Sequence, residues 1–199
     1  ATLALDRVLT TTVNRITSVI PCDRCTVALH RKGRWALSAV SGEMKLDRKA
    51  AGMPELETMH IWLAGSGGDC TVLQTEEGID AEREETRDKF GAYFEQAGMS
   101  AFMGILLRDE ESIVGTLVLE GKEAGGLAHA HYDLARIFAS QVTVAVRNAL
   151  LYQQMPLAGM LQPLAEKRAR FAAIPAVRRS VMITLAVALV AFLAFFPWY

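Results

Sequence analysis

The last 22 residues constrain this chain more than any other stretch. "RRSVMITLAVALVAFLAFFPWY", residues 178–199, carries no charge after Arg179, and from 181 to 196 its one polar side chain is Thr184. A helix over residues 180–199 would be roughly 30 Å long, about the hydrocarbon thickness of a bilayer. Ten large apolar residues between 181 and 196 contribute roughly −0.3 to −0.6 kcal/mol each, about −3 to −6 kcal/mol in all, with no charge to offset them. A buried core helix keeps a polar face, and this run is apolar all round. A signal peptide is excluded because it would be N-terminal. The expectation is a transmembrane helix over 180–199, with Val190 deep in the hydrocarbon.

The flanks set its orientation. Lys167, Arg168, Arg170, Arg178 and Arg179 all precede the run, and Trp198 and Tyr199 sit where an interfacial aromatic belt belongs. The positive-inside rule then predicts a single pass with residues 1–179 in the cytoplasm and membrane lipid as a partner. Three cysteines, an odd number, give no disulfide framework and suit a reducing compartment.

Ahead of the tail, the composition is that of one soluble domain. The chain is 22% charged with a formal net charge of −1. No basic stripe with interleaved aromatics appears, so nucleic acid is excluded as a partner. Pro156, Gly159, Pro163 and Pro175 interrupt helix continuity. The expected division is a domain over 1–155, a basic proline-containing linker over 156–179, and the helix over 180–199. The first residue is Ala1 rather than Met, as expected of a processed or partial product.

Within the domain, Leu5, Val8, Leu9, Val13, Ile16, Val19 and Ile20 recur at helical spacing and stop at Pro21. "CTVALH" and "WALSAV" alternate about "RKGR" and predict a hairpin. "PELETMHIWLAG" predicts a helix opened by Pro54 and closed by Gly65, "CTVLQ" a strand, and "AEREETRDKFGAYFEQAG" a helix. "SAFMGILLR" and "SIVGTLVLEG" flank the polar turn "DEE" as a second hairpin. Leu134, Ile137, Phe138, Gln141, Val142, Ala145, Ala149 and Tyr152 trace a long final helix, whose Val144, Val146 and Leu151 add apolar surface on other faces. The order of parts predicts an α+β fold, an antiparallel sheet flanked by helices.

"CDRCTVALHRKGRWALSAVSG", "YFEQAGMSAFMGILLRDEESIVGTLVLEG" and "DLARIFASQVTVAVRNALLY" resemble the opening hairpin, the central helix with second hairpin, and the closing helix of a GAF domain. The likeness runs from about Leu3 to Tyr152 and is a distributed pattern, with "VRNALLY" its most telling piece. It implies a regulatory domain that senses a small molecule or dimerises, with a pocket on one face of a five- or six-stranded sheet. Asn14 and Asn148 are not followed by Lys, as the cyclic-nucleotide-binding members require. None of Cys22, Cys25 and Cys70 is followed by His, as in bilin-binding members. The free methionine sulfoxide reductase of the family clusters its cysteines in mid-domain, where only Cys70 lies here. The chain is therefore expected to be no enzyme and to carry no cofactor.

The remaining constellations have plain readings. "CDRC" lacks a second pair to complete a zinc site and does not open a helix, so Cys25 is expected in the core. "GSGGD" has no following Lys-Ser/Thr and precedes a strand, which makes it a flexible connector. "HAH", His129 and His131, lacks a third ligand apart from Asp133 and is given solvent or capping roles. Trp62, Cys70, Phe102 and Met103, with Met99, are candidates for a pocket lining, although such side chains more often make core. No nucleophile–base arrangement can be argued from spacing.

"PAVRRSVMITLAVALVAFLAFFPWY" resembles the inner-membrane anchor of HlyD-type membrane fusion proteins, the adaptor subunits of bacterial secretion and efflux systems. That resemblance implies a bacterial inner-membrane location, an inner-membrane complex as partner, and a periplasmic body beyond Tyr199. The function expected is a non-enzymatic regulatory module of such an adaptor, forming a homodimer through the first and last domain helices. The alternatives are the ligand-sensing input of a membrane signalling protein and an accessory subunit of a membrane complex.

Overall fold

Leu5, Leu9, Val13, Ile16 and Ile20 are all buried, which fixes the first helix, α1 (Thr2–Val19), with one apolar stripe against a sheet. The computed structural model describes residues 2–44, 46–81, 84–110, 112–123, 125–154 and 176–195. After α1 come β1 (Arg24–Arg31) and β2 (Arg34–Val40), α2 (Met53–Gly65), β3 (Cys70–Thr75), β4 (Gly78–Asp80), α3 (Glu84–Ala97), β5 (Ala101–Arg108), β6 (Ile113–Gly121), and α4 (Tyr132–Gln154). A single 3-10 turn, His129–His131, leads into α4.

The six strands form one sheet in the order β2-β1-β6-β5-β3-β4, with every pair antiparallel. The β1–β2 connection places Lys32 and Gly33 at φ of 51° and 74°, the two left-handed residues that a tight hairpin turn of the right twist needs. The sheet thus has six strands, and the one that periodicity did not reveal, β4, is three residues long. Three residues are too few for an alternation to show.

Each face of the sheet has its own core. On one, α1 and α4 cover Cys25, Val27, Leu29, Met103, Ile105, Leu107, Leu117 and Leu119. On the other, α2 and α3 cover Phe102, Leu106 and Val118, and α2 reaches Ala28, Leu37 and Val40. The first face is drawn tight at Gly115 of β6, where an added Cβ would lie 2.7 Å from the Ala28 carbonyl oxygen and 2.8 Å from Leu29. Because the nearer neighbour is backbone, it cannot swing aside. Gly115→Ala should lower the unfolding free energy by about 1–3 kcal/mol, read from urea denaturation of the folded domain; an unchanged midpoint would refute this close approach.

Residues 152–199 form a separate unit. Beyond the last turn of α4 its described part is α5 (Ala176–Phe195), on which Met182, Ile183, Leu185, Val187, Leu189 and Val190 are 45 to 66% exposed. Among the described residues no helix is long and apolar enough to cross a membrane. The expected span depends on residues outside that set. The side chains of Arg178, Arg179, Val181 and positions 191–195 lie outside the described ones, as do Trp198, Tyr199 and most of the expected linker.

Candidate functional site

Strand alternation sends Arg24, Thr26 and Ala28 of β1 to the face under α2 and α3, together with their β6 neighbours Glu120, Val118 and Thr116. In β5 the same face carries Phe102, Gly104 and Leu106, and in β3 it carries Cys70 and Val72. One side of this surface is polar and the other aromatic. Glu120, Thr26, Thr116 and, on α2, His60 are fully buried.

The buried polar groups are paired with one another. Arg24 Nε donates to Glu120 Oε2 at 2.7 Å, and Tyr93 Oη of α3 donates to Glu120 Oε1 at 2.5 Å. Arg24 and Glu120 are cross-strand partners, so the ladder register itself brings them together. Burial works against the Arg24 charge, but the hydrogen bond and charge of Glu120 outweigh it and hold the guanidinium above its ordinary range. Burial, then the charge and hydrogen bond of Glu120, pushes the Tyr93 hydroxyl well up, keeping it a donor. His60 bridges from α2 to the sheet, with Nε2 2.9 Å from Thr26 Oγ1 and Nδ1 2.7 Å from Thr116 Oγ1. Burial, followed by the nearby Arg24 charge, lowers its pKa to about 3, so the ring is neutral.

On the aromatic side Phe90 of α3 is the hub. Its ring meets Phe102 at 4.8 Å, Trp62 at 5.3 Å, Phe94 at 5.4 Å and Tyr93 at 6.1 Å, all edge to face. These rings pack against one another between α3, α2 and the sheet. At the edge of the cluster is a cavity of about 40 Å³, lined by Trp62, Asp69, Cys70, Val72 and Thr86, which has room for a water or two. The close packing extends to Gly104, where Leu63 of α2 would lie 2.7 Å from an added Cβ.

The GAF-domain family profile matches residues 4–146. The chain belongs to the GAF family. Its domain superposes on solved GAF domains at low identity. The GAF domain of a two-component sensor histidine kinase from Bacillus halodurans is 15% identical at a TM-score of 0.53, with 75% of this chain and 98% of that one covered. The GAF domain region of a candidate membrane protein from Geobacter sulfurreducens PCA is 20% identical at 0.54, over 73% and 95% of the two chains. A type II free methionine-R-sulfoxide reductase from Thermoplasma acidophilum is 10% identical at 0.53, over 74% and 94%. At such identities the likeness speaks for the fold alone. Among curated proteins none matches the chain.

In this GAF domain three of the four candidate pocket residues, Trp62, Cys70 and Phe102, share the face under α2 and α3. Met103 follows Phe102 in the strand and so points to the opposite face, into the core under α1 and α4. Cys25 is core as expected. Burial, then the charges of Asp23 and Glu120, raises the Cys22 thiol to about 12, and burial raises Cys25 well above its ordinary value. Both stay protonated and are poor nucleophiles. His131 Nδ1 accepts from the Ala128 N–H at 3.1 Å, the capping role read for it. The "GSGGD" stretch is held in place, where a flexible connector was expected. Asp69 Oδ1 accepts from the Leu106 N–H at 2.8 Å, Asp69 Oδ2 from Tyr132 Oη at 2.7 Å, and Gly67 O from Arg108 at 2.6 Å.

Arg24, His60, Tyr93 and Glu120 escaped the sequence reading. Arg24 and Glu120 alternate with apolar residues in their strands, and alternation cannot tell a solvated face from one roofed by helices. For His60 a signal existed. It shares a helical stripe with Leu56 and Leu63, and a histidine on an apolar stripe is a buried one in need of partners. Among the described residues no group of three or more His, Cys, Asp or Glu side chains is placed to hold a metal ion.

Proposed function

We propose that the chain is a non-enzymatic regulatory module in which a GAF domain pairs with a second copy through α1 and α4. In this reading a helix built on residues 180–199 holds it to the bacterial inner membrane, domain in the cytoplasm. The observation that carries the pairing is on α4, where Ile137, Val144 and Leu151 stand 51 to 57% exposed at seven-residue intervals. A repeat of seven keeps one stripe facing a partner helix along its length. Val8 and Val19 add exposed apolar surface on α1. A regulatory rather than catalytic role is supported by the protonated thiols of Cys22 and Cys25.

The pairing is tested by Ile137→Asp with Val144→Asp in sedimentation velocity. Wild type is expected to run as a dimer, and the variant as a monomer with unchanged circular dichroism, its association weakened about 30-fold or more. A monomeric wild type, or a variant that still pairs, would overturn the reading.

The HlyD-type adaptor is the assignment that the tail's sequence supports. The input domain of a membrane signalling protein is the second reading, favoured by membership of the GAF family. Peptide sequencing of the native protein extracted from membranes separates them. Peptides running past Tyr199 into a β-rich region would support the adaptor, and a kinase or cyclase domain on the cytoplasmic side would support the signalling input.

A further inference from the structure

We propose that the α2-covered face of the GAF domain is a proton sensor: His60 takes a proton when α2 lifts from the sheet, so falling pH favours the state in which that face is open to solvent. This names the input of the regulatory module.

The geometry makes His60 the polar fastening of α2. The other buried residues of the helix, Met53, Leu56, Met59 and Leu63, meet the sheet through apolar side chains. His60 alone of the five binds it by hydrogen bonds, to Thr26 on β1 and Thr116 on β6. A neutral imidazole offers one donor and one acceptor, and a threonine hydroxyl can serve either need, so the bridge is complete with the ring uncharged. At its start α2 has Gly52 as N-cap, which adds no side-chain bond to the first turn.

Among the described residues, a second positive charge at His60 would have no hydrogen-bonded counterion. Around the ring, β1 contributes Arg24, β6 contributes Glu120 and α3 contributes Tyr93. From β2 and β5 come the apolar Leu37, Val40, Phe102 and Leu106. On α2 itself, Glu55 receives Gln96 at 3.3 Å. Both oxygens of Glu120 are engaged, one by Arg24 and one by Tyr93, and among the described residues His60 has hydrogen bonds to the two threonine hydroxyls and to no carboxylate. Burial and the Arg24 charge accordingly keep the closed-state pKa far below the ordinary histidine value.

The sign of the response follows. With its pKa depressed in the closed state, His60 contributes stability that is full above about pH 6.5 and is lost as pH falls toward the closed-state value. Between pH 7.5 and 5.5 the open population should rise about 10-fold, because the open ring titrates near pH 6.5 and the closed ring does not titrate in that window. The core under α1 and α4 lies on the other face and need not open with it.

The test is hydrogen exchange by mass spectrometry on the full 199-residue chain in mild detergent at pH 7.5 and 5.5, corrected for intrinsic rates. Exchange through opening in the α2 peptides should rise about 10-fold while β6 and α4 hold their protection. His60→Gln should abolish the response. Thr116→Val should raise α2 exchange already at pH 7.5 and keep the pH dependence, so it decides the matter if His60→Gln fails to fold. Unchanged α2 exchange, a parallel loss in α4, or a response that survives His60→Gln would overturn the sensor. The two proposals fail separately: a monomeric chain that keeps the α2 response refutes only the pairing, and a lost response refutes only the sensor.

Discussion

Replacing Glu120 with alanine should lower the unfolding free energy by about 3–5 kcal/mol, a large part of what a domain of this size has. The substitution strands two groups at once. Arg24, whose side chain is 21% exposed, loses the partner of its charge, and the buried Tyr93 hydroxyl loses its acceptor. Removing one member of a buried pair costs more than the pair itself contributes, since the remaining member keeps its desolvation penalty. Hence Arg24→Met combined with Glu120→Leu should recover most of the loss. Urea denaturation at pH 7.5 measures all three proteins. A loss below about 1 kcal/mol for Glu120→Ala would mean that Arg24 escapes to solvent when its partner is gone.

Replacing Val190 with arginine should move the chain from the membrane pellet to the soluble fraction, or block its insertion. A mid-membrane arginine costs roughly 2.5–3.5 kcal/mol, a large part of the driving force of about 3–6 kcal/mol read from the tail. Val190 is 66% exposed on α5, so the substitution breaks no buried contact in the described protein. Carbonate extraction followed by immunoblotting reads the outcome. A variant that stays in the pellet as fully as wild type would place the attachment elsewhere than in the tail.

The elements of the fold were legible because their periods are long. Eighteen residues of α1 and 23 of α4 repeat their apolar stripe several times, and the two hairpins carry both alternation and turn residues. The three residues of β4 offer no such repetition. The site was far less legible. Trp62, Cys70 and Phe102 fell on one face because strand and helix periods place them there, but Met103 was separated from Phe102 by the pleat, a distinction of a single residue. Glu120 and Arg24 read as ordinary strand charges until the register set them opposite each other, and that register joins segments far apart in the chain. What burial does to a polar residue is a property of the assembled layers, and no local window of sequence contains it.

The sheet order also governs when this protein can fold. β6 lies between β1 and β5, and the Arg24–Glu120 pair spans 96 residues of chain. On a ribosome the β1–β2 hairpin emerges early with one edge bare and must wait until β6 has been made before that edge is closed. Such long-range pairing folds slowly and leaves an unpaired strand exposed during synthesis, the condition under which nascent chains associate wrongly. A chaperone that shelters β1 until β6 has emerged would protect the nascent chain over that interval.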